Sequence, residues 1–258
     1  MMRQACAVTE STRETPSTVT LRFEYPLPAN PGQFVMVWVP GDDELPMSLS
    51  YTGPSKGVTV KRMGATSGRI LGIEPGTVLG IRGPYGNTFD LRPKRILVVG
   101  GGSGTAVLAP AAEAAATRGS RVTCALGATT AAELLFVERL RPISNEVHVA
   151  TDDGSSGFHG YVTEVAGRLL ATEPFDAVWT CGPEVMMRKV IEAAHRPKVP
   201  VFCSVERHMK CAVGLCDACA LGPLHPCIDG PVFPAPELTG LPEFGRAHRD
   251  PSGRRVPL

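Results

Sequence analysis

The sequence is poor in aromatic residues, 6% of 258, and it has almost no charge imbalance, with 26 lysines and arginines against 25 aspartates and glutamates. Without a basic excess, binding to a phosphate backbone has no electrostatic footing, and a nucleic-acid partner is not expected. No uninterrupted apolar run approaches the roughly 18 residues of a membrane span. The opening MMRQACAVTESTRET also lacks the apolar core of a signal peptide. A cytoplasmic protein without membrane association is the expectation. The six histidines form no H-x3-H or similar pair, and no nucleophile and base stand together. What is plentiful is apolar residues at 43%, with 28 glycines, 24 prolines and eight cysteines. That apolar content can bury one generous core or, the preferred reading, two modest ones. In a cytoplasmic chain, cysteines point to metal or redox chemistry before disulfides, and four of the eight crowd into residues 211 to 227.

Glycine and proline divide the chain into three stretches. Residues 1–92 read as short β-branched runs between turn signals, among them VTLRFEYP, FVMVWVP, PMSLSYT, VTVKRM and VLGIRGPYGN. Such spacing predicts a small antiparallel β-barrel or sandwich. Residues 93–198 alternate strand and helix, from the Arg95 to Val99 strand and the alanine-rich helix after it through RVTCALGA, AAELLFVERLRP, EVHVAT, YVTEVAGRLLA, AVWTCG and PEVMMRKVIEAAH. This predicts a parallel sheet covered by helices. Residues 199–258 hold the run VPVFCSV, the cysteine group and a proline-rich tail with little helix or strand signal.

The sharpest motif is Cys211-x4-Cys216-x2-Cys219-x7-Cys227. C-x4-C-x2-C is the spacing of plant-type [2Fe-2S] sites, in which a tight loop wraps three sulfurs and a fourth follows later in the chain. Ala212, Gly214 and Ala218 leave room for the backbone in such a loop, and Gly214 tolerates positive φ. The alternative is a structural zinc site made by the same thiolates. The second motif is Gly100-Gly101-Gly102-Ser103-Gly104 between a strand and a helix, where bare amides can approach a pyrophosphate at a helix N-terminus. It departs from the full dinucleotide fingerprint. The third glycine slot falls on Thr105, and no acidic residue ends the next strand. An ordinary Rossmann dehydrogenase is therefore disfavoured, and a tight packing loop is the plain alternative.

In order and spacing, these motifs and others resemble the ferredoxin-reductase-like electron-transfer subunits of class B dihydroorotate dehydrogenase along nearly the whole chain. The matching pieces are Pro31-Gly32-Gln33-Phe34, Pro46-Met47-Ser48-Leu49-Ser50, Gly83-Pro84-Tyr85-Gly86-Asn87, Gly100 to Gly104 and Thr151-Asp152-Asp153-Gly154-Ser155. They continue with Cys181-Gly182-Pro183-Glu184-Val185-Met186-Met187, Glu206-Arg207-His208-Met209-Lys210-Cys211 and Asp229-Gly230-Pro231-Val232-Phe233.

The resemblance implies an FAD-binding β-barrel over residues 1–92, an NAD-binding α/β domain over 93–198, and a [2Fe-2S]-binding region with tail over 199–258. The implied cluster ligands are Cys211, Cys216, Cys219 and Cys227. The implied flavin contacts are Pro46, Met47, Ser48, Leu49 and Ser50 along the isoalloxazine and ribityl chain, with Gly64, Ala65, Thr66 and Ser67 as a pyrophosphate turn. Thr66 and Ser67 could instead cap the turn that follows. Gly83, Tyr85 and Gly86 complete the flavin set. For NAD(H) the implied positions are Gly100, Gly101, Gly102, Ser103, Gly104, Cys181 and Gly182, the last two beneath the nicotinamide. Asp152 could contact nucleotide hydroxyls or simply lie in a solvated turn. Many members place an arginine just before the Pro46 segment for the FAD phosphate. Here Glu44-Leu45 stands instead, with Lys61 or Arg62 as substitutes.

The implied activity is a relay. Electrons from dihydroorotate, oxidised on a separate FMN-containing catalytic subunit, pass through [2Fe-2S] and FAD to NAD in pyrimidine biosynthesis, in a heterotetramer of two plus two chains. No basic residue occupies Ala128-Thr129-Thr130, which favours NAD over NADP. Two alternatives remain at this level. The same cofactors serve small subunits of NAD(P)H-dependent ferredoxin or sulfide reductases and of some soluble hydrogenases. A non-enzymatic, zinc-stabilised interaction module is the other.

Overall fold

The computed structural model of the chain describes residues 2–250 and 252–258. Its first part contains β1 (Gln4–Thr15), β2 (Thr18–Glu24), β3 (Phe34–Trp38), β4 (Glu44–Tyr51), β5 (Ser55–Lys61), a short helix α1 (Ala65–Ile70) and β6 (Val78–Tyr85). The strands close into an antiparallel barrel in the order β1-β2-β5-β4-β3-β6. Alternation sets the inside: Val19, Leu21 and Phe23 of β2 and Val58 and Val60 of β5 are buried together with Val35 and Val37 of β3. Sequence patterning missed β1. Only Cys6 and Val8 of QACAVTESTRET give apolar side chains to the core, and the strand exists because β2 and β6 supply hydrogen-bonding edges on its two sides.

The second part runs β7 (Arg95–Gly101), α2 (Gly104–Thr117), β8 (Arg121–Ala128), α3 (Val137–Leu140), β9 (Glu146–Thr151), β10 (Phe158–His159), α4 (Val162–Thr172), β11 (Ala177–Cys181), α5 (Glu184–His195) and β12 (Val201–Ser204). Later come β13 (Val232–Pro234), α6 (Ala235–Thr239) and a hairpin of β14 (Ala247–Arg249) and β15 (Arg255–Pro257). The sheet order is β10-β9-β8-β7-β11-β12-β13, parallel except for β13. Helices cover both faces, α4 and α5 on one and α2 on the other, so the central strands are apolar throughout.

Two departures from the sequence reading follow from packing. The stretch AAELLFVERLRP forms only short turns and α3, because Leu135 and Phe136 are adjacent and both buried, an arrangement that a helical period does not supply. Phe136 takes a left-handed φ of 58° and meets Tyr51 of the barrel edge-on at 6.3 Å. The sheet also continues past residue 198. Strand β12 pairs with β11, and β13 pairs back onto β12 through Ser204 opposite Val232. The cysteine loop, residues 205–231, is therefore an excursion between two neighbouring strands. No described helix is long and apolar enough to cross a membrane.

Candidate redox site

Three left-handed residues, Ala212, Gly214 and Asp217, coil the start of the cysteine loop. At Gly214 a side chain would meet Ile228, so glycine is required by space as well as by φ. The coil turns backbone amides inward: those of Val213 and Leu215 each donate to the Cys211 Sγ at 3.4 Å. Burial would raise the Cys211 pKa, but these amides, that of Cys216 and the Cys216 side chain bring it below the ordinary thiol value. Cys219 and Cys227 are each 2% exposed and pack against Phe34, Met36, Met209 and Ala212. Burial and the nearby Cys219 and Cys211 push the Cys227 thiol up. Such crowding is relieved when thiolates bind a cationic centre. Among the described residues no three histidine, cysteine, aspartate or glutamate side chains are grouped as ligands of one metal ion. Cys216 lowers the Cys211 pKa, and Cys219 and Cys211 raise that of Cys227, so the four thiols influence one another. Four thiols in the C-x4-C-x2-C pattern, with a fourth further on, are a donor set that fits a two-iron cluster.

The barrel holds this loop through residues the sequence reading missed or placed elsewhere. Asn87 acts as a clamp: its Nδ2 donates to Asp229 O at 3.1 Å and Val232 O at 2.8 Å, and its Oδ1 accepts from Val232 N at 2.9 Å. Its own amide donates to Gly230 O at 2.7 Å. Gly86 lies so close to Pro231 and Gly230 that a Cβ there would clash. Tyr85 packs on Phe34 at 5.7 Å. Tyr85 and Asn87 share a cleft of about 480 Å³ with Ala212, Val213, Cys227 and Ile228. At the other end of the loop, Arg207 is ion-paired to Glu184 at 2.8 Å, with 2% and 7% of the side chains exposed. Arg207 Nη1 also donates to Ala247 O, and Gly245 N to Glu184, which joins α5, the loop and the C-terminal hairpin.

The glycine loop and Cys181-Gly182 meet. Strands β7 and β11 are parallel neighbours with Gly100 opposite Cys181. The chain passes from β7 to β8 on one side and returns to β11 on the other, so a crevice opens beyond their carboxyl ends, where ligands of open α/β sheets bind. Gly104 abuts the Cys181 carbonyl, while Gly101 and Gly182 both abut Met186. Gly102, at φ 54°, has nothing within 4 Å of its missing side chain and faces open space, with Ser103 following it as the N-cap of α2. The Cys181 thiol is fully buried, its pKa raised well above the ordinary value by burial and by Glu206, whose Oε1 lies 3.9 Å away. It is therefore a neutral, small side chain. The isolated Cys6, Cys124 and Cys203 are buried as well. Asp152 is exposed at the end of β9, its amide donating to Ala128 O.

On the barrel, Pro46, Met47 and Ser48 are half-buried, whereas Leu49 lies in the core and Ser50 is fully buried with its Oγ accepting from Thr59 at 2.8 Å. Helix α2 packs against this strand. Gly64 and Ala65 are exposed at the start of α1. The hydroxyls of the next two residues serve the fold: Ser67 Oγ accepts from the amides of Met63 and Gly64, and Thr66 Oγ1 donates to Asp42. Lys61 lies 3.9 Å from Glu133 across the domain boundary, and Arg62 is exposed. Glu44 is occupied by two cations of the barrel itself. Its carboxylate takes Arg82 at 2.6 Å and Arg3 at 3.2 Å.

Residues 206–239 match the iron-sulfur cluster binding domain of dihydroorotate dehydrogenase B. Over 251 residues the chain is 43% identical to a protein of Thermoplasma volcanium described as a probable dihydroorotate dehydrogenase B (NAD(+)), electron transfer subunit, covering 97% of each chain. A protein of the same description from Methanothermobacter thermautotrophicus is 45% identical over 95% of this chain and 92% of its own. Among solved structures, that of the NADH-dependent reduced ferredoxin-NADP oxidoreductase superposes with a TM-score of 0.82 at 30% identity, over 90% of this chain and 89% of that one. With relatives this similar along nearly its whole length and a cysteine loop of matching type, the chain belongs to the family of electron-transfer subunits of dihydroorotate dehydrogenase B, and is an oxidoreductase component.

Proposed function

We propose that the chain carries electrons between a dihydroorotate-oxidising FMN subunit and NAD, with [2Fe-2S] on Cys211, Cys216, Cys219 and Cys227 and FAD between the barrel and the sheet. One observation carries the reading: the β3 residues packed on the buried cysteines are the hydrogen-bonded neighbours of the β4 residues assigned to the flavin, Phe34 opposite Ser48 and Met36 opposite Pro46. Directly opposed residues of an antiparallel pair point to the same face, so a cluster against β3 and a flavin against β4 would share the outer face of the barrel, side by side on neighbouring strands.

When bound, FAD exchanges a hydride with nicotinamide and single electrons with the cluster, so the conversion itself is cofactor chemistry. The chain's residues bind, orient and insulate. Pro46, Met47 and Ser48 present an uncharged surface with one hydroxyl to the flavin, while Leu49 anchors the strand in the barrel core and Ser50 bonds to Thr59 of β5. The exposed Gly64-Ala65 turn receives the pyrophosphate, with Arg62 and Lys61 as the nearby cations that stand in for the family arginine. Gly100 to Gly104 admit the dinucleotide at the β7–β11 crevice, and the neutral Cys181 with Gly182 leaves room for the nicotinamide ring. Asp152 at the end of β9 adjoins Ala128, so a 2′-phosphate there would meet a carboxylate and no cation, which favours NAD. Around the exposed Cys216, Leu215 is 84%, Ile228 53% and Val213 46% exposed, an apolar collar suited to a docked protein.

The test is the visible spectrum of anaerobically purified protein, with iron, sulfide, zinc and flavin assayed on the same sample. The expected result is flavin bands over an iron-sulfur background with two irons per chain, as [2Fe-2S] requires. A colourless zinc protein that takes up neither on reconstitution would overturn the reading. Copurification with an FMN subunit supports the stated partner, in a two-plus-two assembly; a larger iron-sulfur or nickel subunit in its place would reassign it.

A further inference from the structure

Glu44 and Arg82 sit on the two strands that flank β3, since Glu44 lies opposite Trp38 and Arg82 opposite Met36. Both side chains are only 15% exposed. Arg82 Nε is 2.9 Å from each Glu44 oxygen and Nη2 is 2.6 Å from Oε2. The remaining donors reach the start of the cysteine loop: Nη1 donates to Cys211 O at 2.9 Å and to Tyr85 Oη at 3.1 Å, and Nη2 donates to Lys210 O at 3.1 Å. Every N–H direction of the guanidinium thus has an acceptor. A bidentate carboxylate fixes its plane on one edge, and the backbone of the first cluster ligand takes the other.

This arrangement exceeds what packing requires. The cysteine loop is already held at its far end by Asn87 and at its near end by the Glu184–Arg207 pair. A full charge beside a redox centre also acts on the electron equilibrium. Each reduction of a [2Fe-2S] cluster adds one negative charge, which a fixed cation stabilises and a fixed anion opposes.

Resting on the assignment of Cys211 as a cluster ligand, we propose that Arg82, oriented by Glu44, is a positioning residue for electron transfer: it pins the Cys211 backbone to the flavin-bearing barrel and, with Glu44, sets the reduction potential of the cluster. One electron at a time enters the cluster from the partner's flavin and leaves toward FAD. The pair neither gains nor loses an electron or a proton.

The experiment compares wild type with Arg82→Gln, Arg82→Lys and Glu44→Gln by an EPR-monitored potentiometric titration of the holoprotein and by hydrogen-deuterium exchange over residues 210–216. Removing the cation beside the loop leaves Glu44 with only the more exposed Arg3 as counterion, so Arg82→Gln lowers the potential. Removing the anion leaves Arg82 uncompensated, so Glu44→Gln raises it. Both speed exchange of the loop by about tenfold or more, the factor for losing one charge-assisted hydrogen bond. Arg82→Lys keeps the charge and loses the fork, so its potential stays nearer wild type while exchange accelerates. If Arg82→Gln does not retain its cluster, Arg82→Lys and Glu44→Gln decide the matter. Potential shifts of the same sign in the two charge-removing variants, or none, would overturn the tuning role, and unchanged exchange would overturn the tether. Iron and sulfide analysis of wild type separates these results from failure of the cluster assignment, since exchange can be read with or without iron.

Discussion

Gly104, the first residue of α2, lies directly against the Cys181 carbonyl at the end of β11, with no room between them for a methyl group. The contact draws the glycine loop and the Cys181-Gly182 corner into one crevice, and it makes substitutions at two glycines two residues apart costly for different reasons.

Gly104→Ala should destabilise the α/β domain by about 1 to 3 kcal/mol through overpacking against backbone. Gly102→Ala meets no atom and pays only for its left-handed φ, about 1 to 2 kcal/mol. Thermal unfolding measures both. NADH titration should show weaker binding for Gly102→Ala with the flavin spectrum intact; unchanged affinity would mean that the dinucleotide lies elsewhere.

Cys219→Ser removes a buried member of the cysteine set. The expected protein has lost its iron and its transfer to the partner subunit but still passes electrons from NADH to an artificial dye through the flavin. Iron analysis and the two assays, run side by side, check this. Retained partner-dependent transfer would contradict the relay.

Glu184→Gln leaves Arg207 charged and almost fully enclosed without its directly paired carboxylate. Breaking a buried pair from one side costs about 3 to 5 kcal/mol. Denaturant unfolding should show a loss of that order, accompanied by easier proteolysis within residues 205–231, because the same pair secures the loop entrance and the C-terminal hairpin.

The Glu44 carboxyl titrates below its ordinary value: partial burial would raise it, but Arg82 and Arg3 outweigh that effect. A carboxylate with a depressed folded pKa stabilises the fold above its unfolded pKa, and that contribution disappears as pH falls through the folded value. Wild type should therefore be more stable than Glu44→Gln at pH 7, and the gap should close as the solution is taken below about pH 4, the ordinary carboxylate range. Tm measured across that interval tests the sign. A gap that widens on acidification would be inconsistent with the ion pair.

The cysteine spacing and the glycine loop were readable in the sequence because each is a local pattern: residues proposed to share one centre or one phosphate lie close together in the chain. The parallel sheet was readable from its continuous apolar runs. The residues that join these parts were not. Arg82 reaches Cys211 across 129 positions and Asn87 reaches Val232 across 145, and neither arginine nor asparagine signals such a contact. Glu44 reads in the sequence only as a missing arginine, since its meaning depends on the side chain two strands away. The hydroxyls of Thr66 and Ser67 show the reverse case, residues matching a binding turn that are also employed by the local fold.

The strands on either side of the cysteine loop are bonded to each other at its mouth, Ser204 facing Val232. The loop is thereby closed at its base by ordinary sheet hydrogen bonds that do not involve iron. The spacing between the two ends of the loop is therefore set by the sheet and not by whatever the four cysteines hold.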